Sequence, residues 1–329
     1  MREKLTIEGG PVVLTPSGTR DLPEALAEHR EEAETRLTEH GAVLFRGFDM
    51  TTAEDFAGFG RAVSAARLDY TYRSTPRSTV TDGVFTTTEY PADQEIALHC
   101  ENAYQRTWPL KLAFFCQTPA TTGGETPLAD LRKVTAALAP DLLDRFETRG
   151  VRYVRHYRPH IDLPWQTVFQ TDSRQGVAAY CVAHGIDHTW LDDTVLRTAQ
   201  TSQGVAYHPR TGERVHFNQA HLFHGSNLPA ETARALTSLY GSDGLPRNAT
   251  YGDGTPLATE DLVAVRAAFA AAQVTFPWER GDVLLVDNMR MSHGRRPYTG
   301  PRKVLATLMD SYAPGRGSEG EAPDHPAGS

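Results

Sequence analysis

Apolar residues recur at helical spacing in only a few stretches of this chain; elsewhere they come in short β-rich runs broken by Pro and Gly. The segment LPEALAEHREEAETRLTEHG predicts an amphipathic helix over 22–40 that ends at Gly41. A short strand, AVLFRGF (42–48), follows directly. A second helix is predicted over 52–65, with Thr51 or Thr52 as its N-cap. From about 84 the texture turns to strands, in VFTTTEYP, EIALHCE and KLAFFCQ. PATTGGETP (119–127) reads as a loop that turns at Gly123-Gly124. Between about 130 and 275 the pattern is mixed. Helices are predicted over 192–203, 229–241 and 258–272, and strands in RYVRHYRP, AAYCV and ERVHFNQ. A buried strand, GDVLLVD (281–287), leads into a polar loop, NMRMSHGRRPYTGP, and then a last strand, RKVLATLMDSYAP (302–314).

Two β-rich ends around a mixed insert fit a mainly β fold with helical insertions, built on a double-stranded β-helix (jelly-roll) core. The expected organisation is one domain over 1–313, with the insert at about 130–275. The Gly/Pro/Ser-rich residues 314–329 are expected to be a disordered tail. A doubly wound α/β fold is disfavoured, because regular strand–helix alternation with a Gly-rich first turn is missing.

Composition narrows the function classes. The net charge is -8 and no Lys/Arg-rich run occurs, so no nucleic-acid partner is expected. No segment approaches the roughly 20 apolar residues of a membrane span, and MREKLTIEGGPVV has no apolar signal-peptide core. Cys100, Cys116 and Cys181 cannot make a disulfide framework, which suits reduced thiols in a cytoplasmic protein. The oligomeric state is not fixed by the sequence.

The segment IALHCENAY (96–104) carries the chemistry. On a strand, His99 and Glu101 would point to one face and Cys100 to the other. An imidazole and a carboxylate side by side need one more imidazole to form a two-His, one-carboxylate facial triad. Such a triad leaves open the positions that oxygen chemistry on iron(II) requires. His293, just past the buried GDVLLVDN strand, is the best candidate for the third ligand. His184 and His188 are spaced four apart, but Gly185 and Asp187 argue against a helix there. His216, His221 and His224 form a rival cluster without the cysteines or Glu-x-x-His spacing of a zinc site. His216 and His221 fit better as cavity-lining or underlying residues.

A run of segments beyond these residues resembles the taurine dioxygenase-like (TauD/TfdA) family of iron(II)/2-oxoglutarate-dependent dioxygenases. The resemblance is carried by GAVLFRGF (41–48), GVFTTTEYP (83–91), LHCENAYQRTWPLKLAFFC (98–116), GGETPLAD (123–130), GERVHFNQAHLFH (212–224) and GDVLLVDNMRMSHGRRPYTGPRKVLATL (281–308). The branch is similar to the syringomycin-type aspartyl hydroxylases. The resemblance implies iron(II) on His99, Glu101 and His293, with 2-oxoglutarate and O2 as cosubstrates. It implies Arg302 and Thr126 on the distal carboxylate of 2-oxoglutarate. Lys303 is the neighbouring alternative to Arg302, but only arginine offers the planar fork that grips a carboxylate twice. Four residues past Arg302, where some members carry a second arginine for an anionic substrate group, this chain has Ala306. A sulfonate substrate is therefore not implied.

What the resemblance implies for function is hydroxylation of an unactivated C–H bond of an amino acid, free or tethered to a carrier protein, in natural-product biosynthesis. The same cofactors also support desaturation, epoxidation or cyclisation. Glu101 argues against halogenation, because the related halogenases replace this carboxylate with a small residue. Arg77, Glu89, Asn102, Tyr104, His216, Asn218 and Arg296 are the candidate substrate contacts, with Arg77 and Arg296 placed to pair with a substrate carboxylate. A zinc hydrolase or a non-catalytic ligand-binding barrel are the readings from other classes. A hydrolase has no use for a 2-oxo acid clamp, and a binding barrel has none for the triad.

Overall fold

In a computed structural model of the chain, residues 1–66, 78–81, 83–87 and 90–314 are described. Arg77, Glu89 and the expected tail beyond residue 314 lie outside the described residues. The described fold mixes helices and strands.

Its largest sheet has eight strands. In spatial order they are Arg2–Thr6, Val12–Thr15, Ala42–Phe45, Val283–Asp287, Trp108–Thr118, Lys303–Tyr312, Val84–Thr86 and Thr79–Thr81. The central strands AVLF, VLLVD and WPLKLAFFCQT are buried on both faces, which explains their nearly continuous apolar runs. One face takes helices. Phe45, Phe56, Phe59 and Phe115 pack there with Leu22, Leu26 and Leu37. Each such phenylalanine contributes about 1.5–3 kcal/mol on burial.

The helix Ala53–Val63 starts where the sequence predicts, and Thr52 and Asp55 form its capping box. The predicted helix over 22–40 is two helices, Leu22–Glu28 and Arg30–His40, broken at His29. The buried positions run Leu22, Ala25 and Leu26, then resume at Ala33 and Leu37. Polar His29 and Arg30 fall where the next apolar contact would come.

A smaller sheet of four strands holds the candidate chemistry. Its order is Gln273–Val274, Leu128–Asp130, Met291–Arg295 and Ile96–His99. Leu128 and Met291 from this sheet share one buried cluster with Leu112, Phe114, Leu284, Val286 and Val304 from the large one. The chain passes from the large sheet to the small one through the turn at residues 288–290, between Val283–Asp287 and Met291–Arg295.

The insert contains a third sheet, ordered Asp187–Trp190, Leu196–Ser202, Val151–Tyr157 and Arg247–Tyr251. Two predictions fail here. Residues 192–203 are not a helix; Leu196–Ser202 is a strand paired along its whole length with Val151–Tyr157. Leu196, Thr198, Gln200 and Ser202 are all buried, the two-residue period of a strand. AAYCV is not a strand but part of the helix Arg174–His184. Ser173 caps its start, Gly185 ends it at φ 61°, and Val177 and Cys181 bury at four-residue spacing. The helices Ala230–Tyr240 and Thr259–Ala272 lie where predicted. Among the described residues no helix is long and apolar enough to cross a membrane.

Candidate metal centre

His99 ends the edge strand Ile96–His99, and His293 lies directly opposite it on Met291–Arg295. The sequence placed His293 in a polar loop. The structure instead buries it mid-strand, paired with His99 on one side and Leu128 on the other. The correction has a simple cause. After the turn at 288–290 the chain enters a second sheet, and polar residues there are inside because they line a site.

Glu101 is also displaced from expectation, since the strand stops at His99 and Glu101 opens a turn. Cys100 does face away, into the large core cluster. The three side chains still converge. The His99 and His293 ring centroids are 4.5 Å apart. His293 Nε2 lies 3.9 Å from Glu101 Oε2. One donor atom from each residue falls within 4.8 Å of the others. Donors about 2.0–2.2 Å from a shared ion lie at most about 4.4 Å apart, so small side-chain rotations close the set.

His99 Nδ1 is 2.9 Å from the Ala97 carbonyl, which can only accept. That ring nitrogen therefore carries the proton, and Nε2 keeps the lone pair a metal uses. His293 packs against Phe114, ring centroids 5.1 Å apart, which shields it from water. Two imidazoles and one carboxylate on one side of a cavity are the donor set of non-haem iron(II) oxygenases. Among the described residues this is the one group of three or more His, Cys, Asp or Glu close enough to share a metal.

A small, half-open cavity of about 30 Å3 adjoins the two histidines, lined also by Thr87, Phe114, Thr126, Arg295 and Arg302. Arg302 Nε donates to the Gly124 carbonyl at 2.9 Å. Gly124 has φ 73°, and a Cβ there would come within 3.0 Å of the Arg302 side chain. The Gly-Gly turn is thus required by the arginine that crosses it. Burial, and next the neighbouring Arg295 cation, push the Arg302 guanidinium down to about 10, so it stays charged at neutral pH. Among the described residues no carboxylate forms an ion pair with Arg302 or Arg295, although Glu125 exerts a weaker pull on Arg302. A half-buried cation that faces a cavity and, among the described residues, has no counterion suits an anion. Lys303 is exposed, whereas Arg302 lines the cavity. Thr126 is buried, and its Oγ1 accepts from Trp278 Nε1 at 3.1 Å, which directs the hydroxyl proton to another acceptor. The donor set and the Arg302 cation at the cavity together fit iron(II) with a 2-oxo dicarboxylate.

The candidate substrate contacts separate. Tyr104 packs in the core against Tyr153 and Phe223. His216 is buried against Phe146, and Asn218 Nδ2 donates to the Gly204 carbonyl. His221 donates from Nε2 to Leu98 O, behind the His99 strand, and stacks on Phe269. These residues support the site from beneath. Burial pushes His216 down to about 3 and His221 to about 4, so both are neutral. Arg296 is half-exposed and paired with Glu95 at 3.3 Å. Asn102 stays beside the triad, in the turn after Glu101, at φ 57°.

Sequence reasoning passed over Trp278, Phe114, Arg295 and Asn288. Arg295 donates to the Tyr90, Pro91 and Gln94 carbonyls and so fixes the loop along the cavity. Its place two residues past His293 was the available signal.

Residues 10–309 match the family described as taurine catabolism dioxygenase TauD, TfdA family. The chain is 40% identical over 311 residues to the dapdiamide synthesis protein DdaC of Enterobacter agglomerans, covering 94% of each chain. It is 31% identical over 316 residues to a clavaminate synthase-like protein of Arabidopsis thaliana, covering 90% of this chain and 92% of that one. Among solved structures, PvcB of Pseudomonas aeruginosa matches with TM-score 0.52 at 16% identity, over 91% of this chain and 86% of that one. PvcB is described as an Fe, alpha-ketoglutarate dependent oxygenase from an isonitrile synthetic pathway. AAD-2, solved with Mn(II) and N-oxalylglycine, matches with TM-score 0.55 at 13% identity, over 94% and 96%.

Proposed function

Because this chain belongs to the TauD, TfdA family of iron(II)/2-oxoglutarate-dependent dioxygenases, we propose that it hydroxylates an unactivated C–H bond of an amino acid, free or tethered to a carrier protein, in natural-product biosynthesis. The observation that carries the reading is the His99, Glu101 and His293 convergence beside the cavity-lining Arg302, which among the described residues has no carboxylate ion pair. The 40% identity to a dapdiamide synthesis protein supports the natural-product setting.

In this reading one oxygenase domain spans 1–313. The eight- and four-stranded sheets are the two faces of a double-stranded β-helix, supported by the buried cluster they share. Three buried free thiols fit a reducing, cytoplasmic compartment.

His99, Glu101 and His293 would hold the iron; Arg302 and Thr126 would hold the distal carboxylate of 2-oxoglutarate. When bound, iron(II) with 2-oxoglutarate and O2 supplies an oxidant that breaks C–H bonds, while the 2-oxo acid becomes succinate and CO2. The chain's own residues orient and enclose. Arg302 provides the bidentate fork, Thr126 a hydroxyl donor already aimed by Trp278, and Phe114 an apolar cover over His293. Ala306 lies buried opposite Phe114, so no second arginine is available at that position for a sulfonate. Arg77 remains the arginine proposed for the substrate carboxylate, and Arg77→Ala then raises substrate KM without altering 2-oxoglutarate dependence.

The test is aerobic incubation with iron(II), 2-oxoglutarate and amino acids presented free and as carrier thioesters. The expected result is one amino-acid class gaining one oxygen atom in step with succinate. A product two hydrogens lighter assigns desaturation or cyclisation instead. Succinate release that no amino acid stimulates contradicts the substrate reading.

A further inference from the structure

The carboxylate of the triad sits on a turn, not on a strand, so something other than a sheet ladder must hold it in place. Asn288 is fully buried, and its amide is spent on that turn and the strand beyond it. Oδ1 accepts from the Glu101 backbone N–H at 2.8 Å, and Nδ2 donates to the Glu101 carbonyl at 2.9 Å and the Pro109 carbonyl at 2.8 Å. Both backbone groups of one residue are thereby gripped by one side chain, as a neighbouring strand would grip them. The backbone of Asn288 in turn donates to Leu110 O.

The clamp is braced from behind. Asp287 takes the Met289 N–H on Oδ1 at 3.0 Å and His208 Nε2 on Oδ2 at 2.9 Å. His208 Nδ1 accepts from the Arg210 and Thr211 backbone, which leaves the proton on Nε2 for Asp287. The turn holding Asn288 is therefore fixed independently of Glu101. The same turn begins the strand that carries His293.

We propose that Asn288 is the positioning residue for the metal site: it sets the backbone of Glu101 relative to His293, and so the fit of the three donors to iron(II). The inference rests on the reading of Glu101 as a ligand. An outer partner of this kind is worth roughly 10- to 100-fold in metal affinity. Asn288→Asp keeps the acceptor facing the Glu101 N–H but puts a second oxygen against two carbonyls.

The experiment measures anaerobic iron(II) Kd, the position of the visible iron–2-oxoglutarate absorption band, and Tm on the full chain. Leu285→Ala, in the core on the helix-covered side of the large sheet, serves as a stability control. Asn288→Asp is expected to raise the iron Kd about 10- to 100-fold and to shift the band. Leu285→Ala is expected to lower Tm with Kd and band unchanged. If Asn288→Asp does not fold, Asn288→Gln carries the same measurement with both amide functions retained on a longer arm. A folded Asn288 variant with the parent Kd and band overturns the proposal. Glu101→Ala separates the two levels: parent-like iron binding in that variant removes the ligand reading itself and leaves the clamp nothing to position.

Discussion

His99 and His293 face each other across an antiparallel strand pair, with ring centroids 4.5 Å apart. The register does the placing. A slip of one residue would turn His293 to the other face of its sheet and destroy the pair. Glu101 joins them from a turn held by Asn288, and Arg302 reaches the adjoining cavity across a glycine turn.

Arg302 is expected to govern 2-oxoglutarate affinity. Losing a buried bidentate partner costs about 2–3 kcal/mol, so Arg302→Gln should raise the 2-oxoglutarate KM roughly 30- to 150-fold. Arg302→Lys should recover only part of this, because it lacks the fork. Without 2-oxoglutarate the order reverses: Arg302→Met should be as stable as the parent or more so, since it removes a desolvated cation. Initial-rate kinetics and melting curves with and without 2-oxoglutarate check both halves.

Trp278→Phe should weaken 2-oxoglutarate binding more gently. It removes the 3.1 Å bond to Thr126 Oγ1 and frees the hydroxyl to turn. A single neutral hydrogen bond is worth about 0.5–1.5 kcal/mol, or roughly a 2- to 12-fold rise in KM. The rise should vanish in a Thr126→Val background, which a double-mutant cycle measures.

Acid should destabilise the chain through His216 and His221. Burial holds their folded pKa values at about 3 and about 4, below an unfolded value near 6.5. The unfolded state binds the extra protons, so this stability is complete above pH ~6.5 and is lost as pH falls towards 4. Each histidine contributes a slope of up to about 1.4 kcal/mol per pH unit in that window. Urea midpoints between pH 7 and 4 should fall steeply, and more shallowly in His216→Gln.

Arg296→Ala should leave activity and stability nearly unchanged. Its exposed pair with Glu95 is worth about 0–1 kcal/mol. A large change in substrate KM would restore the substrate role that the sequence suggested for it.

The convergence of His99, Glu101 and His293 and the place of Arg302 beside it were legible because each sits in a short, distinctive run beside a buried strand. The strand at Leu196–Ser202 was not legible, since its Thr, Gln and Ser residues are buried by pairing on both sides rather than by apolar character. The helix holding AAYCV was hidden by its β-favouring composition; its signal was the cap pair, Ser173 and Gly185. Tyr104 and His216 lie beside the chemistry in sequence and under it in space, and only packing separates those cases. Asn288 left no local pattern, because its partner Glu101 is 187 residues away.

The central claim is that one iron(II) bound by His99, Glu101 and His293 shares its site with a 2-oxo acid held by Arg302. Anaerobic titration of iron(II) and 2-oxoglutarate into the protein tests it most directly. The account predicts a weak visible charge-transfer band that saturates at one iron per chain, is absent in His99→Ala and needs far more 2-oxoglutarate in Arg302→Gln. Failure to develop a band in the parent, or an equal band in His99→Ala, would contradict it.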